Sequence, residues 1–465
     1  MSHQHTYTAF LAQKYARTSF PGIAETWMPT EHLFPFQQRI TSWAMQQGRC
    51  ALFLDTGLGK TRQQLVWAQN VVRQQGDVLI LAPLAVAKQT AQEAAGLGIQ
   101  TTIARTTHDV RPGITISNYE RLHLMPMERF TGVVLDESSI LKSLDGKTRQ
   151  AVTTACAHIP YRLCCTATPA PNDHMELANH AEFLGVMTRQ EMLSTYFVHD
   201  GGSTASWRLK GHAVDKFWQW VASWAVALTH PKDLGDMTPG YTLPPLTMTH
   251  HRCATPATAE SGMLFAMEAT TLHEQRQVRR ASIGQRVEAM AQMVRTSADA
   301  WVIWCGLNDE SQQLTAAIPG AVEVSGAHSL DDKQARIEAF TAGDVRVLVS
   351  KPSICGFGMN WQHCAHMGFV GISHSFETWY QAIRRCWRFG QTRPVNVHLV
   401  YTEAEQPIAR NLARKERDAQ AMQRVMAQHL LQFFTMAERQ RYAPTRPIVI
   451  PAWLTSEEPA HVASV

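Results

Sequence analysis

A chain of 465 residues, 45% apolar and 18% charged, is too long for one growing core and too apolar for wholesale disorder, so two large globular domains are expected. Its formal net charge of +4 excludes any argument from bulk charge, and a polyanionic partner would have to be met by local clusters. The nine cysteines show no paired metal spacing and read as reduced, buried thiols.

The N-terminal stretch Met1–Phe10 lacks a basic region followed by an apolar run, and no stretch approaches the roughly 20 apolar residues that span a bilayer. A cytoplasmic protein is expected. From Cys50 onward short apolar runs alternate with helix-like segments: Cys50–Leu54, Val78–Ala82, Ile114–Ser117, Val133–Asp136 and Arg162–Thr166. Such alternation predicts parallel strands with crossover helices.

Residues 177–226 leave this pattern and read as a helical appendage whose Trp207, Trp218, Trp220 and Trp224 are core residues in preference to base-stacking platforms. Pro231–Pro245 is rich in Pro, Gly and Asp, and Pro244-Pro245 forbids a helix. The expected division is a first domain over 1–235, a linker over 236–255, a second domain over 256–440 and a loosely held tail over 441–465. Strands resume at Trp301–Cys305, Ala321–Val324, Val345–Ser350, Met367–Gly371 and Val395–Tyr401, before a charged, helix-prone segment from Glu403 to Arg441. His363, Cys364 and His366 read as a packed turn in preference to a zinc site, for want of a second ligand pair.

Three motifs carry chemistry. Leu54-Asp55-Thr56-Gly57-Leu58-Gly59-Lys60-Thr61 lies where a strand gives way to a helix, so that backbone amides and a helix N-terminus face a phosphate chain. Lys60 would neutralise the outer phosphates, and the Thr61 hydroxyl would bind magnesium. The strict pattern wants glycine where Leu54 stands, yet Gly57, Leu58, Gly59, Lys60 and Thr61 keep its core.

Val133–Asp136 is an apolar strand ending in two carboxylates. Asp136 can hold magnesium, and Glu137 can orient and deprotonate an attacking water. Gln381–Gln391 reads as a helix with Gln381, Arg385 and Arg388 on one face, a phosphate clamp in search of an anion. Arg384, between them, receives no role.

On these residues the chain resembles the superfamily-two helicases, in particular their remodeller-like Swi/Snf branch, in a compact form such as phages and prophages carry. Phe36-Gln37 resembles the family's adenine-sensing glutamine, and Leu81-Ala82-Pro83 and Ser117-Asn118-Tyr119-Glu120 its next motifs. Thr166-Ala167-Thr168-Pro169 resembles the segment coupling hydrolysis to domain movement, through Thr166 and Thr168. Gly356–Gln362 resembles the second domain's glycine-containing motif, which offers Gly358 and Asn360 to the nucleotide. The resemblance puts Arg385 and Arg388 in the arginine-finger positions. Ser138-Ser139 and Arg384 depart from the family pattern.

The resemblance implies an α/β protein of two tandem RecA-like domains with ATP and Mg2+ in a cleft between them, hydrolysing ATP to step along double-stranded DNA in a bacterial or phage-infected cytoplasm. Lys88, Arg121, Lys142, Lys147 and Arg149 are candidate supplements to the phosphate contacts, each read as an ordinary surface charge in preference. The alternatives are a strand-separating DNA or RNA helicase and, from another class, a non-catalytic ATP-binding interaction module.

Overall fold

Two all-parallel sheets, one of seven strands and one of six, organise the chain in a computed structural model that describes residues 21–83, 86–142, 146–170, 173–199, 207–253, 279–356, 359–371 and 375–435. The first is built from β1 (Arg49–Leu54), β2 (Val78–Ala82), β3 (Thr101–Ile103), β4 (Ile114–Asn118), β5 (Gly132–Asp136), β6 (Tyr161–Thr166) and β9 (Ala225–Leu228), in the order β3-β4-β2-β5-β6-β1-β9. Strands β7 (Phe197–His199) and β8 (Trp207–Leu209) form a separate antiparallel hairpin.

The second sheet runs β10-β15-β14-β11-β13-β12, from β10 (Leu246–Cys253), β11 (Trp301–Cys305), β12 (Ala321–Val324), β13 (Val347–Ser350), β14 (His366–Val370) and β15 (Val395–Thr402). Each central strand is apolar on both faces, as a parallel sheet covered by helices requires. Side-chain alternation sends Ala51 and Phe53 of β1 into one core and Cys50, Leu52 and Leu54 into the other.

Seven helices matter below: α1 (Pro35–Gln47), α2 (Lys60–Gln74), α3 (Ala87–Gly96), α4 (Leu177–Leu184), α5 (Val214–Ala222), α6 (Phe376–Ile383) and α7 (Gln406–Thr435). Helix α1 opens on Pro35 and stops at Gly48, whose φ of 68° ends it.

The predicted strands are present, with five additions. Segment 177–226 is not wholly helical: it contains the β7–β8 hairpin and leads into β9, which pairs with β1. Trp218, Trp220 and Trp224 are buried in the core and Trp207 packs against it. The expected linker, 236–255, holds β10, an edge strand paired with β15 over its whole length. Short β3 pairs with β4 at the far edge of the first sheet.

The helix after the last strand does not stay with its own sheet. Met422 and Met426 of α7 enter the core of the first sheet, where α7 packs on α5 and β9. The predicted tail, 441–465, lies outside the described residues.

Candidate active site between the two sheets

Strands β5, β6 and β1 are neighbours, and their C-terminal ends carry the carboxylates, the coupling threonine and the phosphate loop in that order. Asp136 pairs in register with Cys165, and Thr166 with Phe53. Three motifs far apart in sequence therefore meet at one sheet edge, the position where open parallel sheets bind ligands.

The loop between β1 and α2 turns on two glycines in the left-handed region, Gly57 (φ 92°) and Gly59 (φ 79°). A Cβ on Gly59 would come within 2.2 Å of Gln37 Nε2. No side chain caps the α2 N-terminus, so its first amides are oriented toward an incoming anion. Lys60 is at the first position of α2, and its ammonium donates to the Leu54 carbonyl at 2.9 Å. Thr61 follows on the same turn.

Gln37 takes a different place from the one its resemblance implies for an adenine-facing side chain. It is buried, accepts from the Phe34 amide at 2.9 Å and donates to the Leu58 carbonyl at 3.1 Å. Gln63 donates to the same carbonyl at 2.9 Å. Two glutamines thus hold the phosphate loop from below.

Both carboxylates are shielded. Burial, reinforced by Glu137, pushes the Asp136 carboxyl up to about 7, against the pull of Lys60. Burial also raises Glu137, with Lys60 and Arg385 opposing. Glu137 is the only non-glycine among the described residues with positive φ, at 56°. For a residue with a full side chain this conformation is strained, and strain of this kind collects at functional sites. Thr166 Oγ1 donates to Glu137 Oε2 at 3.3 Å and accepts from the Thr168 amide at 3.1 Å. Ser138, where the family pattern is broken, turns into the core with its Oγ 3.1 Å from His180 Nε2 on α4.

The arginine segment departs from its predicted helix. Helix α6 stops at Ile383, because the following amides shift to carbonyls three residues back: Arg385 to Ala382 and Cys386 to Ile383. The Gln381 carbonyl thereby released is taken by Arg385's own Nε at 2.8 Å, while Arg385 Nη2 donates to Gln381 Oε1 at 2.8 Å. Arg385 and Arg388 still converge, through the Met359 carbonyl rather than a helical face. Arg388 Nε and Gln381 Nε2 are buried with no hydrogen-bond partner among the described residues. Burial first, and Arg388 next, lowers Arg385 to about 9, and burial lowers Arg388 to about 10 against Glu93.

Arg384 has a definite partner. Its Nη2 donates to Asp55 Oδ2 of the phosphate loop at 2.6 Å. Tyr380 donates to the other Asp55 oxygen, and Lys142 pairs with Glu377. Sequence reasoning missed Asp55, Glu377 and Tyr380 as contributors and took Lys142 for a surface charge or a supplementary phosphate contact, whereas it pairs with Glu377; the only signal was the spacing of 377, 380 and 384 on one helical face. Lys88 hydrogen-bonds Gln334 and Arg149 pairs with Glu182 at 2.8 Å. Gly358 lies outside the described residues. Asn360 lines a cavity of about 280 Å³ together with His32, Arg62, Gln92 and Glu93.

The donor set fits a polyphosphate. Lys60, Arg385 and Arg388 are cations in a water-poor place, and the unpartnered Arg388 Nε needs an acceptor. Thr61 and Asp136 offer hard oxygens for magnesium. Among the described residues no group of three or more His, Cys, Asp or Glu forms a metal-holding cluster, and magnesium held through phosphates needs only one or two protein oxygens.

No known family model matches the chain, and no curated protein is significantly similar to it. Among the described residues no helix is long and apolar enough to cross a membrane.

Proposed function

We propose that the protein is an ATP hydrolase of two RecA-like domains, with ATP and Mg2+ bound between them, whose turnover drives stepping along double-stranded DNA. The observation that carries this reading is the meeting, at the C-terminal ends of β1, β5 and β6, of Lys60, Asp136 and Glu137 from the first sheet unit with Arg385 from the second, whose charge acts on Glu137; Arg388 joins Arg385 at the Met359 carbonyl. The resemblance to the remodeller-like branch of superfamily two supports DNA as the polymer.

In this reading the amides of Gly57 to Thr61 cradle the phosphates and Lys60 neutralises the outermost. Magnesium, held by Thr61 and Asp136, would offset charge on the phosphate oxygens. Glu137, kept in place by Thr166 and its strained backbone, orients the attacking water and takes its proton. Its raised affinity for a proton suits a general base better than an exposed glutamate would. Arg388 offers its free Nε to the charge that develops on the transferred phosphoryl group, a contribution of roughly 10³ to 10⁵ in rate, or about 4 to 7 kcal/mol. Thr166 and Thr168 pass the change at Glu137 to the rest of the first unit.

The test is phosphate release measured with no polymer, single-stranded DNA, duplex DNA and RNA, with Lys60→Ala as the blank. Stimulation by duplex DNA that weakens steeply with salt is the expected result. A preference for single strands or RNA would favour a strand-separating helicase. No release under any condition would leave the non-catalytic ATP-binding module.

A further inference from the structure

Helix α6 and the turn that follows it present two adjacent sets of side chains. One, Gln381 with Arg385 and Arg388, belongs to the proposed phosphate site. The other is Glu377, Tyr380 and Arg384, spaced three and seven residues apart and hence on one face, and all three contact the first sheet unit. Arg384 Nη2 bonds Asp55 Oδ2 at 2.6 Å, Tyr380 donates to Asp55 Oδ1, and Glu377 pairs with Lys142.

These are not rim contacts. Asp55, Glu377 and Arg384 are 7%, 7% and 8% exposed. The Arg384 guanidinium lies 4.4 Å from the Trp387 ring centroid and 5.0 Å from that of Tyr380, two aromatic faces that keep water from it. Burial alone would lower the Arg384 value, but Asp55, Tyr380 and Glu416 together reverse this. Asp55 Oδ1 also accepts from the Thr56 amide at 2.5 Å, so one carboxylate joins the second unit to the backbone of the phosphate loop. An apolar contact runs alongside. Phe389 lies 4.5 Å from Tyr241 and 6.1 Å from Phe34 between ring centroids, and its backbone nitrogen would be 3.1 Å from a Cβ on Gly57.

We propose that Glu377, Tyr380 and Arg384, with Lys142 and Asp55, form a clamp that holds the two sheet units together and sets the phosphate loop beneath Arg385 and Arg388. They are positioning residues for the proposed ATP site, and the inference rests on that reading only for its effect on ATP. A buried ion pair closed by hydrogen bonds, such as Asp55–Arg384, is directional, and the partly exposed Lys142–Glu377 pair adds a second anchor, so the clamp fixes a register between the units as well as their contact. A chain closed in advance binds nucleotide with the affinity of its closed fraction, so loss of the clamp appears as weaker ATP binding more than as slower chemistry.

The experiment uses the full chain without nucleotide, in three forms besides the wild type: Arg384→Glu, Lys142→Glu, and the exchange Lys142→Glu with Glu377→Lys. Small-angle scattering reads the radius of gyration, hydrogen exchange reads the amides of Phe376–Ile383, and near-ultraviolet dichroism checks packing. Each single variant should expand the molecule and speed exchange in α6 about tenfold. The exchanged pair should return to within about twofold of wild type, since opposite charges then face each other again. With ATP, Lys142→Glu should raise KM about tenfold and change kcat less.

Wild-type scattering and exchange in Lys142→Glu would overturn the clamp, and so would an exchanged pair as open as its single parents. The exchange variant serves where Arg384→Glu fails to fold. A chain that opens as described but releases no phosphate would retain the clamp and refute the proposed reaction. Hydrolysis with unaltered KM in an unaltered shape would do the reverse.

Discussion

Arg385 and Arg388 share one acceptor, the carbonyl oxygen of Met359, at 3.3 and 3.2 Å. Arg385 is otherwise engaged with Gln381 through two further donors, whereas Arg388 keeps a buried Nε without a partner among the described residues. The two are therefore unequal: Arg385 is held by its own helix end and Arg388 is free to meet charge. Arg388→Ala is expected to lower turnover by about 10³ while ATP affinity moves little. Lys60→Ala should lose affinity and turnover together. Equilibrium nucleotide binding on both variants decides the matter, and equal loss of affinity would sink the finger role of Arg388.

Glu137→Gln should trap ATP unhydrolysed in an intact fold. The amide keeps the side chain's length and can still accept from Thr166 Oγ1, which bonds Glu137 at 3.3 Å, but it cannot take a proton from water. Single-turnover quench with labelled ATP, together with a thermal melt, separates the two effects. Near-normal hydrolysis in this variant would place the base elsewhere.

The protonation of Asp136 should be visible in stability. Its folded value of about 7 lies above the ordinary 3.8, so the folded chain holds this proton more tightly than the unfolded chain. The contribution is fully present below about pH 4 and is lost as pH rises through about 7, at about 1.4 kcal/mol per unit at most. Glu137, raised in the same sense, adds to the slope. Asp136→Asn should flatten it, leaving the variant more stable than wild type at pH 8 and inactive. Urea midpoints at pH 5.5 and pH 8 provide the comparison, and a wild type whose stability rises across that interval, with Asp136→Asn following it, would contradict the assignment.

Legibility in the sequence followed contiguity. Val78–Ala82, Trp301–Cys305 and Ala321–Val324 are strands with the bounds their apolar runs predict. Leu246–Cys253 was hidden because this edge strand mixes half-buried and exposed positions with none fully buried, and Thr-His-His-Arg within it looks like a linker. Ala225–Leu228 was hidden among tryptophans at helical spacing. At the site, the phosphate loop and the acidic pair are each one continuous segment ordered by its own strand. The Asp55–Arg384 bond joins positions 329 residues apart, and nothing local marks the two as partners. The arginine segment misled for a physical reason: the Arg385 and Cys386 amides turn to carbonyls three residues back and end a helix that residue propensity alone would extend, and the Arg385 side chain satisfies the Gln381 carbonyl this releases.

Gln423 joins the second unit to the first. Its Nε2 donates to the Ala167 carbonyl at 3.1 Å, between Thr166 and Thr168, from a helix that begins after the last strand of the second sheet. Ala167 is fully buried, so the bond ties α7 to this segment at a closely packed point. Gln423→Ala removes one neutral hydrogen bond, a loss of about 1 kcal/mol, and should lower the melting temperature only slightly. If α7 relays the state of the coupling segment, the ratio of polymer-stimulated to basal phosphate release should fall about fivefold, the equivalent of that energy. Basal release should stay near wild type, because Gln423 touches neither the phosphate loop nor the carboxylates. An unchanged ratio alongside a lowered melting temperature would make the bond a packing contact and leave the coupling to Thr166 and Thr168 alone.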